Sequence, residues 1–152
     1  MTQFVGTHIN RLDAKGRVSI PAPFRNALKS GDGGSTSLIF RPSHKHSCIE
    51  GWPAHVFHTL ATSMQSLDIF GDDQDDLAFT IYADATELEP DREGRIVLPE
   101  SLASFANLAD NVAFVGMGRL FQIWEPAAAE RRRIEARERV RARNLTLPGN
   151  SA

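Results

Sequence analysis

Apolar and polar positions alternate over two short stretches of the chain. Arg-Val-Ser-Ile at 17–20 and Arg-Ile-Val-Leu at 95–98 have the period of half-buried strands. A proline, Pro21 or Pro99, ends each stretch and opens a helix, where its missing N–H leaves no bond unmade. Phe24, Ala27 and Leu28 give the first helix an apolar side, and Leu102, Phe105 and Ala106 do so for the second. Two more strands follow in each case. The first pair runs through Ser37-Leu38-Ile39-Phe40 and Cys48-Ile49-Glu50-Gly51-Trp52, the second through Val112-Ala113-Phe114-Val115 and Phe121-Gln122-Ile123-Trp124. A proline near each tryptophan then starts another helix. One is predicted over about 53–67, with Val56, Phe57, Leu60, Met64 and Leu67 at helical spacing, and the other over about 126–143.

The order of elements is therefore stated twice, and the residues confirm a duplication. Residues 12–21 read Leu-Asp-Ala-Lys-Gly-Arg-Val-Ser-Ile-Pro and residues 90–99 read Pro-Asp-Arg-Glu-Gly-Arg-Ile-Val-Leu-Pro. Both reduce to Asp-x-x-Gly-Arg, apolar, x, apolar, Pro. From average residue usage, a second chance match has a probability on the order of one in ten thousand. Asp13 and Asp91 suit a turn because an aspartate carboxylate accepts backbone N–H groups two residues on. Gly16 and Gly94 supply the positive φ such a turn needs. The predicted organisation is a first repeat over 1–70, an acidic loop at 71–76 as linker, a second repeat over 77–125, and an arginine-rich helix and frayed tail over 126–152. The linker is too short for independent halves, so they are expected to pack together.

Composition narrows the class. With 152 residues, 41% of them hydrophobic and 24% charged, the chain has ordinary globular usage and enough length for a core. Its apolar runs are too short for a membrane span, and the N-terminus lacks the pattern of a secretory signal. The single cysteine, Cys48, excludes a disulfide framework and fits a reducing cytoplasm.

The net charge of −2 conceals a strong segregation. Residues 1–45 carry seven basic and two acidic residues; residues 68–93 carry ten acidic residues against Arg92 alone; residues 130–143 carry seven arginines and three glutamates. A polyanion responds to a local patch, so overall acidity does not exclude a nucleic acid. On the residues alone, two readings of the repeated motif stand. It is a well-formed turn with local pairs Asp13–Arg17 and Asp91–Arg95, or it is a surface where Lys15, Arg17, Arg92 and Arg95 project together toward phosphates and bases.

Phe4-Val5-Gly6 with His8, the run from Leu12 to Pro21 with Phe24-Arg25, and the second Asp91-x-x-Gly94-Arg95 leading to Val115-Gly116 and Ile123-Trp124 closely resemble the MraZ family over about residues 1–125. The resemblance implies an α+β, mainly β fold: two tandem AbrB-like swapped-hairpin barrel halves with short helices and a C-terminal helix. It implies a DNA-binding transcription regulator, with repression the family expectation. Such a protein acts on repeated boxes upstream of the division and cell-wall gene cluster, its own promoter included. It further implies a cytoplasmic, nucleoid-associated homo-oligomer, a ring of eight or more subunits. Carried over by position, Lys15, Arg17 and Arg95 face DNA, and Arg25 on the following helix matches a basic position of AbrB-type proteins. Asp13, Gly16, Asp91 and Gly94 build the turns. The second repeat departs from the first, with Glu93 for Lys15 and Ala103 for Arg25, so unequal contributions are expected. The alternative is an AbrB-type interaction module, antitoxin-like or scaffolding, without specific DNA readout.

Other features add little. His44, His46 and Cys48 are spaced like ligands on one face of a strand, but the residue pattern shows no convergence, and no metal or cofactor is expected. No P-loop, nucleophile elbow, dinucleotide fingerprint or zinc-protease motif occurs, so no catalytic role is expected. The stretch Gly31-Asp32-Gly33-Gly34-Ser35 reads as a flexible connector. The arginines from 131 to 143 read as a solvated helix laced by Glu–Arg pairs, or as an auxiliary DNA contact.

Overall fold

The computed structural model of the chain describes residues 3–31 and 35–149. The glycine-rich connector therefore falls largely outside the described residues. In the first repeat lie β1 (Thr7–Arg11), β2 (Arg17–Ser19), α1 (Ala22–Lys29), β3 (Leu38–Pro42), β4 (Ile49–Pro53), α2 (Ala54–Phe57) and α3 (Leu60–Met64). Next comes α4 (Asp72–Ala78), which runs on into a π-helical turn over Phe79–Ala83. The second repeat continues with β5 (Thr86–Leu88), β6 (Arg95–Val97), α5 (Glu100–Phe105), β7 (Asn111–Gly116), β8 (Phe121–Trp124) and α6 (Pro126–Ala142).

The fold is mixed, mainly sheet, and the duplication is visible in its topology. Six antiparallel strands run in the order β1-β7-β8-β4-β3-β5. Under exchange of the repeats this order reads the same from either edge. The first strand of each half pairs with the other half: β1 with β7, and β5 with β3. At the centre Glu50 lies opposite Gln122, its own repeat counterpart. The remaining two strands, β2 and β6, pair only with each other, as Arg17↔Val97, Val18↔Ile96 and Ser19↔Arg95. That ladder is symmetric about Val18 and Ile96.

The halves share one core. Val18, Ile20, Phe24 and Phe40 from the first half pack with Ile96, Leu98, Phe114 and Phe121 from the second. The rings of Phe4 and Phe24 meet edge-on at 5.2 Å, and Phe4 meets Phe121 at the same separation, a favourable aromatic geometry. A smaller cluster of Ile39, Phe57 and Ile81 seats α2 and the π-helical turn, and Cys48, Ala113 and Trp124 seat the start of α6 through Ala128 and Ala129.

Three expectations need correction. The barrel does not close. β1 and β5 are the outer strands of an open sheet, because each Asp-x-x-Gly-Arg turn sends its second strand to the other half instead of back along its own first strand. The acidic stretch 71–76 is not a loop. Residues from Asp72 onward form α4, with Asp72, Asp73 and Asp75 in a first turn whose unpaired N–H groups favour negative charge. The helix expected over 53–67 is two pieces. It breaks after Phe57, where the Thr59 hydroxyl and N–H both donate to the Val56 carbonyl, at 2.6 and 3.0 Å, a local bond that competes with the helical ladder.

One buried pair breaks the internal symmetry. Arg41 is almost wholly enclosed and its guanidinium lies 2.9 Å from the Glu50 carboxylate on the neighbouring strand. The Trp52 indole N–H also donates to Glu50. In the second half the same cross-strand positions hold Val115 and Gln122, and the Trp124 indole donates to Gln122 at 2.8 Å. Removing one partner of a buried pair strands a charge, whereas replacing both does not. Arg41→Val is therefore expected to destabilise by about 3–5 kcal/mol, and Arg41→Val with Glu50→Gln to recover most of that loss. Urea unfolding midpoints check this; a double variant no more stable than the single one contradicts it.

Candidate nucleic-acid interface

The two repeated turns are built alike from their aspartates. Asp13 Oδ1 accepts the N–H groups of Lys15 and Arg17, both at 2.9 Å, and its Oδ2 accepts Arg17 Nε–H at 2.7 Å. Asp91 Oδ1 accepts those of Glu93 and Arg95 at 2.9 Å, and its Oδ2 accepts Arg95 Nε–H at 3.3 Å. Gly16 and Gly94 adopt φ of 83° and 77°, the left-handed conformation that glycine takes without strain. Both carboxyls sit below their ordinary range. For Asp13 the causes are chiefly the Arg17 N–H and then its guanidinium; for Asp91 the chief cause is the Arg95 N–H.

The turns feed a two-stranded ribbon. Val18 and Ile96 face the core, so Arg17, Ser19, Arg95 and Val97 face outward. Arg17 and Arg95 are diagonal neighbours on that face, a relation that spans about 7–8 Å. The Ile20 N–H donates to the Gly94 carbonyl at 2.9 Å, and the Leu98 N–H to the Gly16 carbonyl at 2.8 Å, so each turn is fastened to the other half. Each guanidinium is held at Nε by its aspartate. The planar fork of an arginine so held suits a phosphate or a guanine edge.

The two ends of the ribbon differ. Lys15 is exposed at the tip of the first turn. Among the described residues, Arg17 pairs only with Asp13. At the second turn Glu93 takes that tip position, and its carboxylate lies 2.7 Å from the outer nitrogen of Arg95. Arg92 is exposed beside it. Arg25 reaches this second turn from α1: its guanidinium donates to the Glu93 carbonyl at 3.1 Å and packs over Gly94. Arg25, Lys29, Arg92 and Asp91 line a cleft of about 190 Å³ there. The structure thus gathers Lys15 and Arg17 at one end, and Arg25, Arg92 and Arg95 at the other. The reach of Arg25 across 68 residues to the second repeat carries no signal in the sequence.

The remaining candidates lie apart. His44 turns to Arg41, its Nδ1 at 3.1 Å from the guanidinium; His46 stacks obliquely on Trp124; Cys48 is fully buried. Burial, and secondarily the Glu50 carboxylate, push the Cys48 thiol up to about 12, which keeps it protonated and unreactive. α6 is capped by the Glu125 carboxylate, which accepts the N–H groups of Ala127 and Ala128. Along it Glu130 pairs with Arg133 and Glu135 with Arg139. No described helix is long and apolar enough to cross a membrane.

Comparison with known proteins points one way. The family model described as "MraZ protein, putative antitoxin-like" matches twice, over residues 3–80 and 81–140. Proteins named transcriptional regulator MraZ are similar over nearly the whole chain. That of Gluconacetobacter diazotrophicus is 57% identical over 97% of this chain and 93% of its own length. That of Gluconobacter oxydans is 56% identical over 93% of this chain and 87% of its own length. The one from Azorhizobium caulinodans is 38% identical over 99% and 95%.

The turn geometry predicts an acid-sensitive ribbon. A carboxyl held below its ordinary 3.8 contributes stability above that value, and the contribution fades as pH falls through the lower folded value. Unfolding midpoints of the wild type should therefore fall as pH drops below about 4. In Asp13→Ala with Asp91→Ala the midpoint is lower at neutral pH and its decline on acidification is shallower. Parallel acid profiles for the two proteins contradict the assignment.

Proposed function

Because the chain belongs to the MraZ family, we propose that it is a sequence-specific DNA-binding transcription regulator whose contact surface is the β2–β6 ribbon with its two turns. The carrying observation is the placement of Arg17 and Arg95 on the outward face of a two-stranded antiparallel ribbon, each fixed by an aspartate. A two-stranded ribbon fits the major groove, and arginine is the side chain suited to guanine O6 and N7. Lys15 and Arg92 at the tips take phosphates, and Arg25 steadies the second turn while adding charge beside it. The reciprocal exchange of first strands and the paired turns support the AbrB-like, swapped-hairpin reading of the halves.

The regulator acts on repeated boxes upstream of the division and cell-wall genes, its own promoter among them, as a repressor in the cytoplasm, associated with the nucleoid. One ribbon offers few phosphate contacts, and such binding is weak at physiological salt. Assembly into a homo-oligomer, a ring of eight or more subunits, sets several ribbons against several boxes and raises affinity through effective concentration.

The test is an anisotropy titration against DNA from upstream of the protein's own gene and against scrambled DNA. Arg17→Ala should lose the preference between them, and to a greater degree than Arg95→Ala, because the Arg95 guanidinium is already paired with the Glu93 carboxylate. Lys15→Ala should weaken binding to both DNAs and reduce the salt slope by about one. Glu93→Lys should strengthen binding several-fold at about 0.15 M salt. Equal affinity of the wild type for both DNAs, or an unchanged salt slope for the Lys15 variant, would sink this reading.

A further inference from the structure

Away from the ribbon, two surfaces of the chain complement each other. The first is a knob after α3. The Asp68 carboxylate accepts the Phe70 N–H at 3.1 Å and its carbonyl accepts the Gly71 N–H at 2.9 Å, closing a tight turn. That ordered turn holds Ile69 and Phe70 in solvent, 71% and 93% exposed. Asp68, Asp72 and Asp73 flank them along the chain. Adjacent large apolar side chains presented by an ordered turn, rimmed by charge, mark a contact surface.

The second is a groove of about 430 Å³ between α6, the loop after β3, and the β7–β8 hairpin. Its lining includes the apolar Val115, Met117 and Trp124, the basic Lys45, Arg132 and Arg133, and Glu50, whose carboxylate is paired with Arg41. Among the described residues, Lys45 and Arg132 form no ion pair. The His46 imidazole in this groove is held below its ordinary value by burial first and then by Arg132 and Lys45. No residue of the knob lines this groove.

The internal repeat indicates what the groove lacks. In the first half Trp52 meets the ring of Phe57 edge-on at 6.3 Å, with Ile81 in the same cluster. In the second half the helix beside Trp124 brings only Ala128 and Ala129. An aromatic and an aliphatic side chain would cover Trp124 as Phe57 and Ile81 cover Trp52, and carboxylates beside them would meet Lys45 and Arg132. The Ile69–Phe70 turn has that composition.

We propose that the Ile69–Phe70 turn of one copy of the chain inserts into the Trp124–Arg132 groove of the next. This rests on the homo-oligomeric reading above and supplies its interface. Knob and groove are different surfaces, so the contact is head-to-tail and propagates until it closes.

The test uses the full chain and two surface variants, Phe70→Ser in the knob and Arg132→Glu in the groove, measured by sedimentation velocity. The wild type should be oligomeric. Each variant alone should dissociate at protein concentrations at least tenfold above those at which the wild type does. An equimolar mixture should give heterodimers and nothing larger, because it retains one intact knob facing one intact groove; their formation also shows that both variants are folded. Variants with the wild-type oligomer size, or a mixture that stays monomeric, overturn the interface and leave the oligomeric reading standing. A monomeric wild type overturns both.

Discussion

The pairing of β2 with β6 is the contact on which the rest of the structure depends. Neither three-residue strand has any other ladder partner. An isolated two-stranded ribbon of this length is unstable in water, so this one exists because Val18, Ile20, Ile96 and Leu98 are buried beneath it in the shared core. Conversely, the core needs the ribbon, since those four side chains come from both halves. The bonds from Ile20 N–H to the Gly94 carbonyl and from Leu98 N–H to the Gly16 carbonyl then tie each turn to the opposite repeat. Neither half can bury its apolar residues alone. The two repeats are packed as one body around a shared core.

Symmetry sets the frame, and departures from it distribute the work. Every strand has a counterpart, yet the polar residues at matching sites differ. Glu93 replaces Lys15 and neutralises part of Arg95. Arg41 and Glu50 form a buried pair where the second half has Val115 and Gln122. The short helices α2 and α3 cover Trp52, whereas the long α6 starts beside Trp124 and leaves a groove. Backbone geometry tolerates such exchanges because the ladder depends on the turn residues Asp and Gly, which both halves keep. Charge is thereby free to diverge while the scaffold stays fixed.

Much of this was legible in the residues because it is local. Alternation marks β2 and β6, the prolines mark helix starts, and Asp-x-x-Gly-Arg specifies a turn whose bonds span four residues. What was hidden is long-range. Period-2 patterning does not say which strand lies beside which, so the pairing of β1 with β7 and of β5 with β3 was not legible in it, and the closed barrel that the resemblance implied was not found. The acidic segment misled for a different reason. A run of aspartates is a poor helix by propensity, yet at the first turn of α4 those same charges stabilise the exposed N–H groups. Arg25 could be assigned a basic role from sequence, but not its seat on the second turn, 68 residues away.

The separation of charge along the chain acquires a physical logic once these surfaces are placed. The basic residues of the ribbon gain from a polyanion, and they gain more when several ribbons act together. An assembly held by general stickiness would bring those same cations into contact with the acidic segment of neighbouring copies and mask them. A dedicated acidic knob, placed after α3 and away from the turns, avoids that conflict by having its own basic groove on α6. Salt then weakens both contacts, though unequally: the DNA contact is lost by counterion release, while an interface seated on Phe70, Met117 and Trp124 retains its apolar part. On this reading the assembled protein leaves DNA as an intact oligomer when ionic strength rises, and the ribbons remain arrayed for the next encounter.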